Sequence, residues 1–414
     1  MSERDGVAYL RTPAAIRERC RAVARFVEAG ESAHFVLDRS RLPAVADRVA
    51  ALTRERFPDL RVPYHSRWRH FEAGGVDRKA ELDAALAGRT QAAAARARID
   101  LALVSVLLDA GAGADWRYVE PQTGGVFTRS EGLAVASLRA FMAGRFSSDA
   151  GDPCRVDAAA LLALDARALA EMFQVRDDNP LVGLDGRAAL MHRLGEALRA
   201  RPEWFTSSGQ PGHLFDVLTH HPHAPSRPPR HAKPAPPHHP TSAARVLGLL
   251  LEAFSGIWPS GQRHDDGTPL GDVWPHRAAG RVPFHKLSQW LAYSLIEPFE
   301  WGGVQVHGLD ELTGLPEYRN GGLLLDSGVL QPRDAQFAAR AYTPADEWVV
   351  EWRALTVCLL DELLPAVRER LGAPALPLAC MLEGGTWLAG RRIAAERRAG
   401  GAPPVHIASD GTVF

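Results

Sequence analysis

Apolar residues recur at helical spacing through most of the first half of this chain, in residues 14–29, 42–57, 82–110, 132–142, 158–173 and 188–200. Side chains three and four positions apart share one helix face, so each stretch can bury a stripe and leave its other face in water. The same stretches are rich in Ala and Arg, which favour helix, while alternating runs of β-branched residues are scarce. Such a chain is expected to be mainly α, with few short strands. Further helices are expected over 243–254, 284–296 and 347–371, a loop over 256–280, and a short mixed tail after the last helix.

With 414 residues the chain can bury a large core in more than one compact region. Lys and Arg number 48 against 49 Asp and Glu, so a formal charge of -1 gives no reason to expect nucleic acid or a membrane surface as partner. The first residues, MSERDGVAYLRTPAAIRERC, mix charges into their apolar positions and carry neither a signal-peptide core nor a membrane span, so the expected location is cytoplasmic. The four cysteines, Cys20, Cys154, Cys358 and Cys380, lack CxxC spacing and are expected as buried thiols. Four regions are expected in order: a helical region with a Gly-rich loop (1–150), a second helical region (151–212), a His- and Pro-rich loop (213–242), and a C-terminal helical region (243–414). Within the second, LVGLDG at 181–186 sets glycines between helical patterns, as a helix-hairpin-helix does.

Three stretches gather polar groups beyond what turns require. Between 100 and 144 an apolar helix ends in AGAGA, and a loop follows with Trp116, Arg117, Tyr118, Glu120, Arg129 and Glu131. Its glycines and TRSE can simply end one helix and start the next, but the aromatic and charged groups suit a pocket wall. RVPYHSRWRHFEAGG, 61–75, includes Arg67 and reads either as a solvated arginine surface or as an anion-binding one. In FHKLSQWLAYSLIEPFEW, 284–301, Lys286, Gln289 and Tyr293 share a helix face, and TGLPEYRNGG, 313–322, sets Glu317, Tyr318 and Arg319 between Pro316 and two glycines. A surface ion pair between Glu317 and Arg319 is the plain alternative.

FHKLSQWLAYSL followed by LTGLPEYRNGG resembles the paired pattern of queuosine-salvage nucleosidases, where an FYKxAQ helix precedes a D-Y-R segment that carries the catalytic carboxylate. Lys286 and Gln289 match the helix, and Glu317, Tyr318 and Arg319 match the acidic segment. Glu stands for Asp, His285 for the aromatic residue, and Asn320-Gly321 where a proline is expected. Over more of the chain, VSVLLDAGAGADWRY, GGVFTRSEGLAVAS, FMAG and LTGLPEYRNGGLLLDSGVL resemble the uracil-regulated family of uracil catabolism, found in fungi and bacteria. That resemblance implies a pathway that opens the pyrimidine ring and passes through ribosylurea, whose remaining bond between ribose and urea nitrogen is N-glycosidic.

The two resemblances imply one chemistry, hydrolysis of ribosylurea or its 5′-phosphate to urea and ribose or ribose phosphate. They also imply helices arranged as in helix-hairpin-helix DNA glycosylases, with the 100–144 loop closing over the pocket. Glu317 is the expected catalytic carboxylate, with Lys286, Tyr318 or His285 as donor to the leaving urea. Gln289, Arg319, Asp100, Trp116, Glu120 and Glu131 are expected at the substrate, and Arg67, Arg129 or Arg319 at a phosphate. No cofactor or metal is needed, the partner is a small molecule, and self-association is left open. Two other classes remain: a metal-dependent hydrolase using His264, Asp265, Asp266, Asp272 and His276, and a non-catalytic partner of a ring-opening enzyme.

Overall fold

The periodic stretches become helices whose ends are fixed by local hydrogen bonds. Pro13–Glu28 begins where Thr12 Oγ1 accepts the Ala15 N–H at 3.1 Å, with proline at its first position. The 82–110 stretch is two helices, Arg78–Ala85 and Gln91–Leu107, because Gly88 turns the chain at φ +86 and Thr90 caps the second. Likewise 158–173 breaks at Asp165, whose carboxylate accepts the Ala168 N–H at 2.7 Å and opens Ala166–Met172. Ala243–Phe254 and Glu347–Leu371 have the expected bounds. In the LVGLDG stretch, Gly183 adopts φ 73 and opens the Leu184–Arg199 helix.

A computed structural model describes residues 6–109, 111–113, 115–219, 239–259 and 261–408. Most of the His- and Pro-rich segment expected as a loop, 220–238, lies outside the described residues. The protein is mainly helical, and its described strands are short and pair two by two. Two expectations are corrected. The 256–280 stretch is no plain loop: Gln262–Arg263 pairs with Pro269–Gly271, and Val273–His276 pairs antiparallel with Gly280–Pro283. The tail holds two helices, Leu378–Met381 and Trp387–Arg397, joined through a π turn, Leu382–Thr386.

The chain divides into two compact units that are discontinuous in sequence. The first comprises residues 1–65, 260–290 and 309–414, and the second residues 66–259 and 291–308. In the first, Pro13–Glu28 and Leu42–Arg56 pack against Glu347–Leu371, while Tyr318–Asp326 lies across Trp387–Arg397. Three glycines permit this close packing. A Cβ on Gly314 would fall 2.6 Å from Leu360, one on Gly321 would fall 2.7 Å from Trp352, and one on Gly390 would fall 2.1 Å from the Arg319 carbonyl oxygen. The glycines of TGLPEYRNGG therefore serve contact as well as turning.

The second unit is built around Gln91–Leu107, buried on nearly every side, with Arg129–Met142 against it. Ion pairs lie inside this unit: Glu120 accepts from Arg78 at 2.7 and 2.6 Å, and from Arg139 at 2.7 Å. Phe215 stacks on Phe299 at 5.5 Å. No helix among the described residues is long and apolar enough to cross a membrane.

Candidate functional site

The first unit brings Lys286 and His65 within electrostatic reach of Glu317. Lys286 opens the Lys286–Trp301 helix, whose start is held by Asp272. Asp272 Oδ2 accepts the Lys286 N–H at 3.0 Å, and its carboxylate also takes both prongs of Arg353 at 2.8 and 2.7 Å and the Trp274 indole N–H at 2.7 Å. Burial works to raise the Asp272 pKa, but Arg353 and these donors prevail and hold it below the usual carboxylate value. His285, just before Lys286, sits at φ 48, in the left-handed region that residues other than glycine seldom adopt. Its Nε2–H donates to the Leu10 carbonyl at 2.9 Å, and burial lowers its pKa, so the ring is neutral and spent on structure.

Glu317 is the N-cap of Tyr318–Asp326. Its two carboxylate oxygens accept the N–H groups of Arg319 and Asn320, each at 2.7 Å. Glutamate is an unusual cap, since shorter side chains reach the same donors with less ordering. Burial of the half-buried carboxylate raises its pKa above the ordinary value, opposed by the two N–H groups and by the charges of Lys286 and His65. A carboxylate so placed is poised to accept a proton. The loop leading to it is secured by Gln289, which accepts from Thr313 N–H at 2.9 Å and donates to Thr313 Oγ1 at 2.5 Å and to the Phe284 carbonyl at 3.2 Å. Those bonds occupy the Gln289 amide, which positions the segment carrying Glu317.

Tyr318 and Arg319 stack on each other, the guanidinium carbon 4.6 Å from the ring centroid. Tyr318 is exposed, whereas Arg319 is buried and donates to the Gly401 carbonyl at 3.3 Å. Glu317 thus meets Arg319 through the backbone N–H and not through a surface ion pair between their charges.

His65 belongs to the 61–75 stretch noted in the sequence, whereas Glu383 was not singled out there. His65 Nδ1 lies 2.9 Å from Glu383 Oε2, and Glu383 in turn receives Arg56 at 3.3 Å. Glu383 rides on the π turn, where Gly384 and Gly385 bring the chain against Leu42–Arg56: a Cβ on Gly385 would lie 2.5 Å from Val49. The only trace in the sequence is EGGT, a glycine pair that periodicity treats as a break.

The remaining expected residues belong to the second unit. Asp100 is buried and accepts N–H groups from Val156 at 3.1 Å, Gln210 at 2.8 Å and Gly212 at 2.6 Å; burial pushes its pKa to about 7 against those donors. Trp116 is buried with its indole N–H on the Phe173 carbonyl at 2.9 Å. Glu120 is held by Arg78 and Arg139; burial alone would raise its pKa, but these partners hold it at about 2. Arg67 is fully buried against Asp109 at 2.9 Å and Ser105 at 2.7 Å; burial lowers its pKa, opposed by Asp109 and Glu131. Arg129 is exposed at φ 54. Asp100, Trp116, Glu120 and Arg67 are thus engaged with their own unit.

The five residues of the metal-hydrolase alternative are dispersed among other partners. Asp265 pairs with Arg281 at 2.5 Å, His264 faces Asp266 at 3.2 Å, Asp272 holds Arg353, and His276 faces Glu351 at 3.4 Å. Among the described residues they form no group able to share one ion.

A mainly helical protein with a half-buried, helix-capping carboxylate in electrostatic reach of a lysine is the class that fold and site define. Residues 9–414 match the family described as "Protein of unknown function (DUF1688)", and the chain belongs to that family. It is 38% identical over 450 residues to "Uracil catabolism protein 4" of Lachancea kluyveri, covering 100% of both chains. It is 40% identical over 424 residues to "Protein urg3" of Schizosaccharomyces pombe, covering 99% of each.

Proposed function

We propose that this protein acts in uracil catabolism as an N-glycosidic hydrolase, releasing urea from ribosylurea or its 5′-phosphate. The observation that carries the reading is Glu317, a carboxylate with a raised pKa fixed at a helix N-terminus beside Lys286. Its support from relatives is the name of the Lachancea kluyveri protein, which assigns that protein to uracil catabolism. The likeness of the Lys286 and Glu317 segments to the nucleosidase pattern points to the same bond.

As the bond from C1′ to urea nitrogen breaks, its electron pair leaves with nitrogen and positive charge spreads over C1′ and the ring oxygen. The Glu317 carboxylate stabilises that charge and takes a proton from the water that adds to C1′. Lys286 supplies the proton that the departing nitrogen needs, since the His285 ring is committed to Leu10. Glu383 holds the His65 ring at 2.9 Å, and His65, after the two backbone N–H groups and Lys286, works against the rise that burial imposes on Glu317. The logic is that of carboxylate-assisted glycoside cleavage, with urea in place of an alcohol.

The test is urea release from synthetic ribosylurea and its 5′-phosphate by the purified protein. Release by the wild type that persists with chelator and is abolished in Glu317→Gln supports the reading. No release from either substrate overturns it.

A further inference from the structure

A second charged group forms in the first unit, where residues before the Phe35–Leu37 strand, the Val273–His276 strand and the first turns of Glu347–Leu371 meet. One ligand atom each from His34, Glu347 and Glu351 lies within 4.8 Å of the others. Glu347 and Glu351 are one turn apart and share a helix face.

Glu351 is the unusual member, because its carboxylate is fully buried. One oxygen accepts the Ser32 hydroxyl at 2.5 Å. Ser32 Oγ already accepts the N–H groups of His34 at 2.9 Å and Phe35 at 3.1 Å, so its single proton is directed to Glu351. The other oxygen faces His276 Nε2 at 3.4 Å. His276 Nδ1 accepts the Ala278 N–H at 3.1 Å, so Nε2 is the ring nitrogen turned to Glu351. Among the described residues Glu351 is thus bonded by Ser32 and faced by His276, while Arg277 spans both oxygens of Glu347 and reaches Glu351 only through its field. A buried carboxylate without a cation in direct contact is costly.

The independent sign of a ligand is His34. Its Nε2 is buried and makes no hydrogen bond, although it stands 3.6 Å from a Glu347 oxygen. That separation is too long for a hydrogen bond, but it suits two donors around one ion, since ligands about 2.1 Å from a metal lie roughly 3 to 4 Å apart.

We infer that His34, Glu347 and Glu351 bind a divalent transition cation such as Zn²⁺. One imidazole and two carboxylates suit that class, and three protein ligands leave a position for water. Ser32 and His276 hold the Glu351 carboxylate in place, as outer groups around metal ligands do. The ion would tie the chain ahead of the Phe35–Leu37 strand to the Glu347–Leu371 helix. It shares no residue with the Glu317 group and takes no part in the proposed hydrolysis.

The experiment strips the full-length protein with chelator, desalts it, and titrates Zn²⁺ by calorimetry, with bound zinc counted by mass spectrometry. Glu351→Gln and His34→Gln are run beside the wild type, with circular dichroism to verify folding. The histidines of the 213–240 segment will take up zinc in every protein, so the readout is the difference. The wild type is expected to hold one equivalent more than either variant, and Zn²⁺ to raise its Tm further than theirs. Equal zinc uptake by folded wild type and His34→Gln overturns the inference. Should Glu351→Gln fail to fold, His34→Gln decides alone, because His34 is partly exposed and contributes no hydrogen bond through Nε2.

Discussion

Replacing Glu317 by Gln separates the two roles its carboxylate can play, because they differ greatly in magnitude. As a helix cap it accepts two backbone N–H groups, and Gln keeps one oxygen for them. Cap substitutions cost about 1 kcal/mol, and removing a charge that burial already disfavours offsets part of this. For a unit of this size that lowers Tm by roughly 2–4 °C. Against a total stability of roughly 5–15 kcal/mol, the folded fraction at 25 °C hardly changes. A purely structural Glu317 therefore predicts unaltered turnover. As the group that stabilises charge at C1′ and accepts the proton of water, it predicts a loss of about 10³-fold or more in kcat/KM, or about 4 kcal/mol at 1.36 kcal/mol per decade. The assay is urea release from ribosylurea at 25 °C, paired with a thermal melt of the same preparation. Glu317→Asp supplies the control: it caps well and keeps the charge but retracts it by one methylene, so Tm should hold while kcat/KM falls about 10- to 100-fold. A Glu317→Gln protein that melts as expected and turns over within threefold of wild type would refute the catalytic role.

Other outcomes follow from the same geometry. Because the Glu317 pKa is raised and the base must be ionised, the acid limb of kcat/KM should lie above the ordinary carboxylate value of 4.5, with activity falling as pH drops through it; a limb at or below 4.5 would contradict this. Asp100, with its pKa raised from 3.8 to about 7, stabilises the fold most below its unfolded value, and that contribution fades as pH rises towards 7. Denaturant titrations at pH 4 to 7 should show the decline in wild type and a shallower one in Asp100→Asn. Arg353→Met strands Asp272 buried without its cation and should cost about 3–5 kcal/mol by urea unfolding, whereas an exposed pair such as Arg392 with Glu55 should change stability by under about 1 kcal/mol on truncation. Gly390→Ala forces a methyl into the Arg319 carbonyl, 2.1 Å away, and should cost about 1–3 kcal/mol while displacing the helix that Glu317 caps, read as a lower Tm and slower urea release together.

The sequence by itself determined what depends on neighbours along the chain. Helical periodicity located Ala243–Phe254 and Glu347–Leu371 to the residue, because an apolar stripe of that period can be buried in no other way. It also brought Lys286 and Glu317 to notice, each by local pattern. Where it failed, the deciding forces were tertiary. The loop read into 256–280 forms hairpins whose Asp272 is fixed by Arg353, 81 residues away, and no local rule anticipates that partner. His65 meets Glu383 across 318 residues through a π turn that the glycine pair disguises as a break. The partners of Asp100, Trp116 and Glu120 within their own unit were equally out of reach of the sequence, because buried polar groups find partners wherever packing places them. Sequence names the groups able to do chemistry; only the packed chain decides which of them are already satisfied, since satisfaction depends on atoms distant in sequence and adjacent in space.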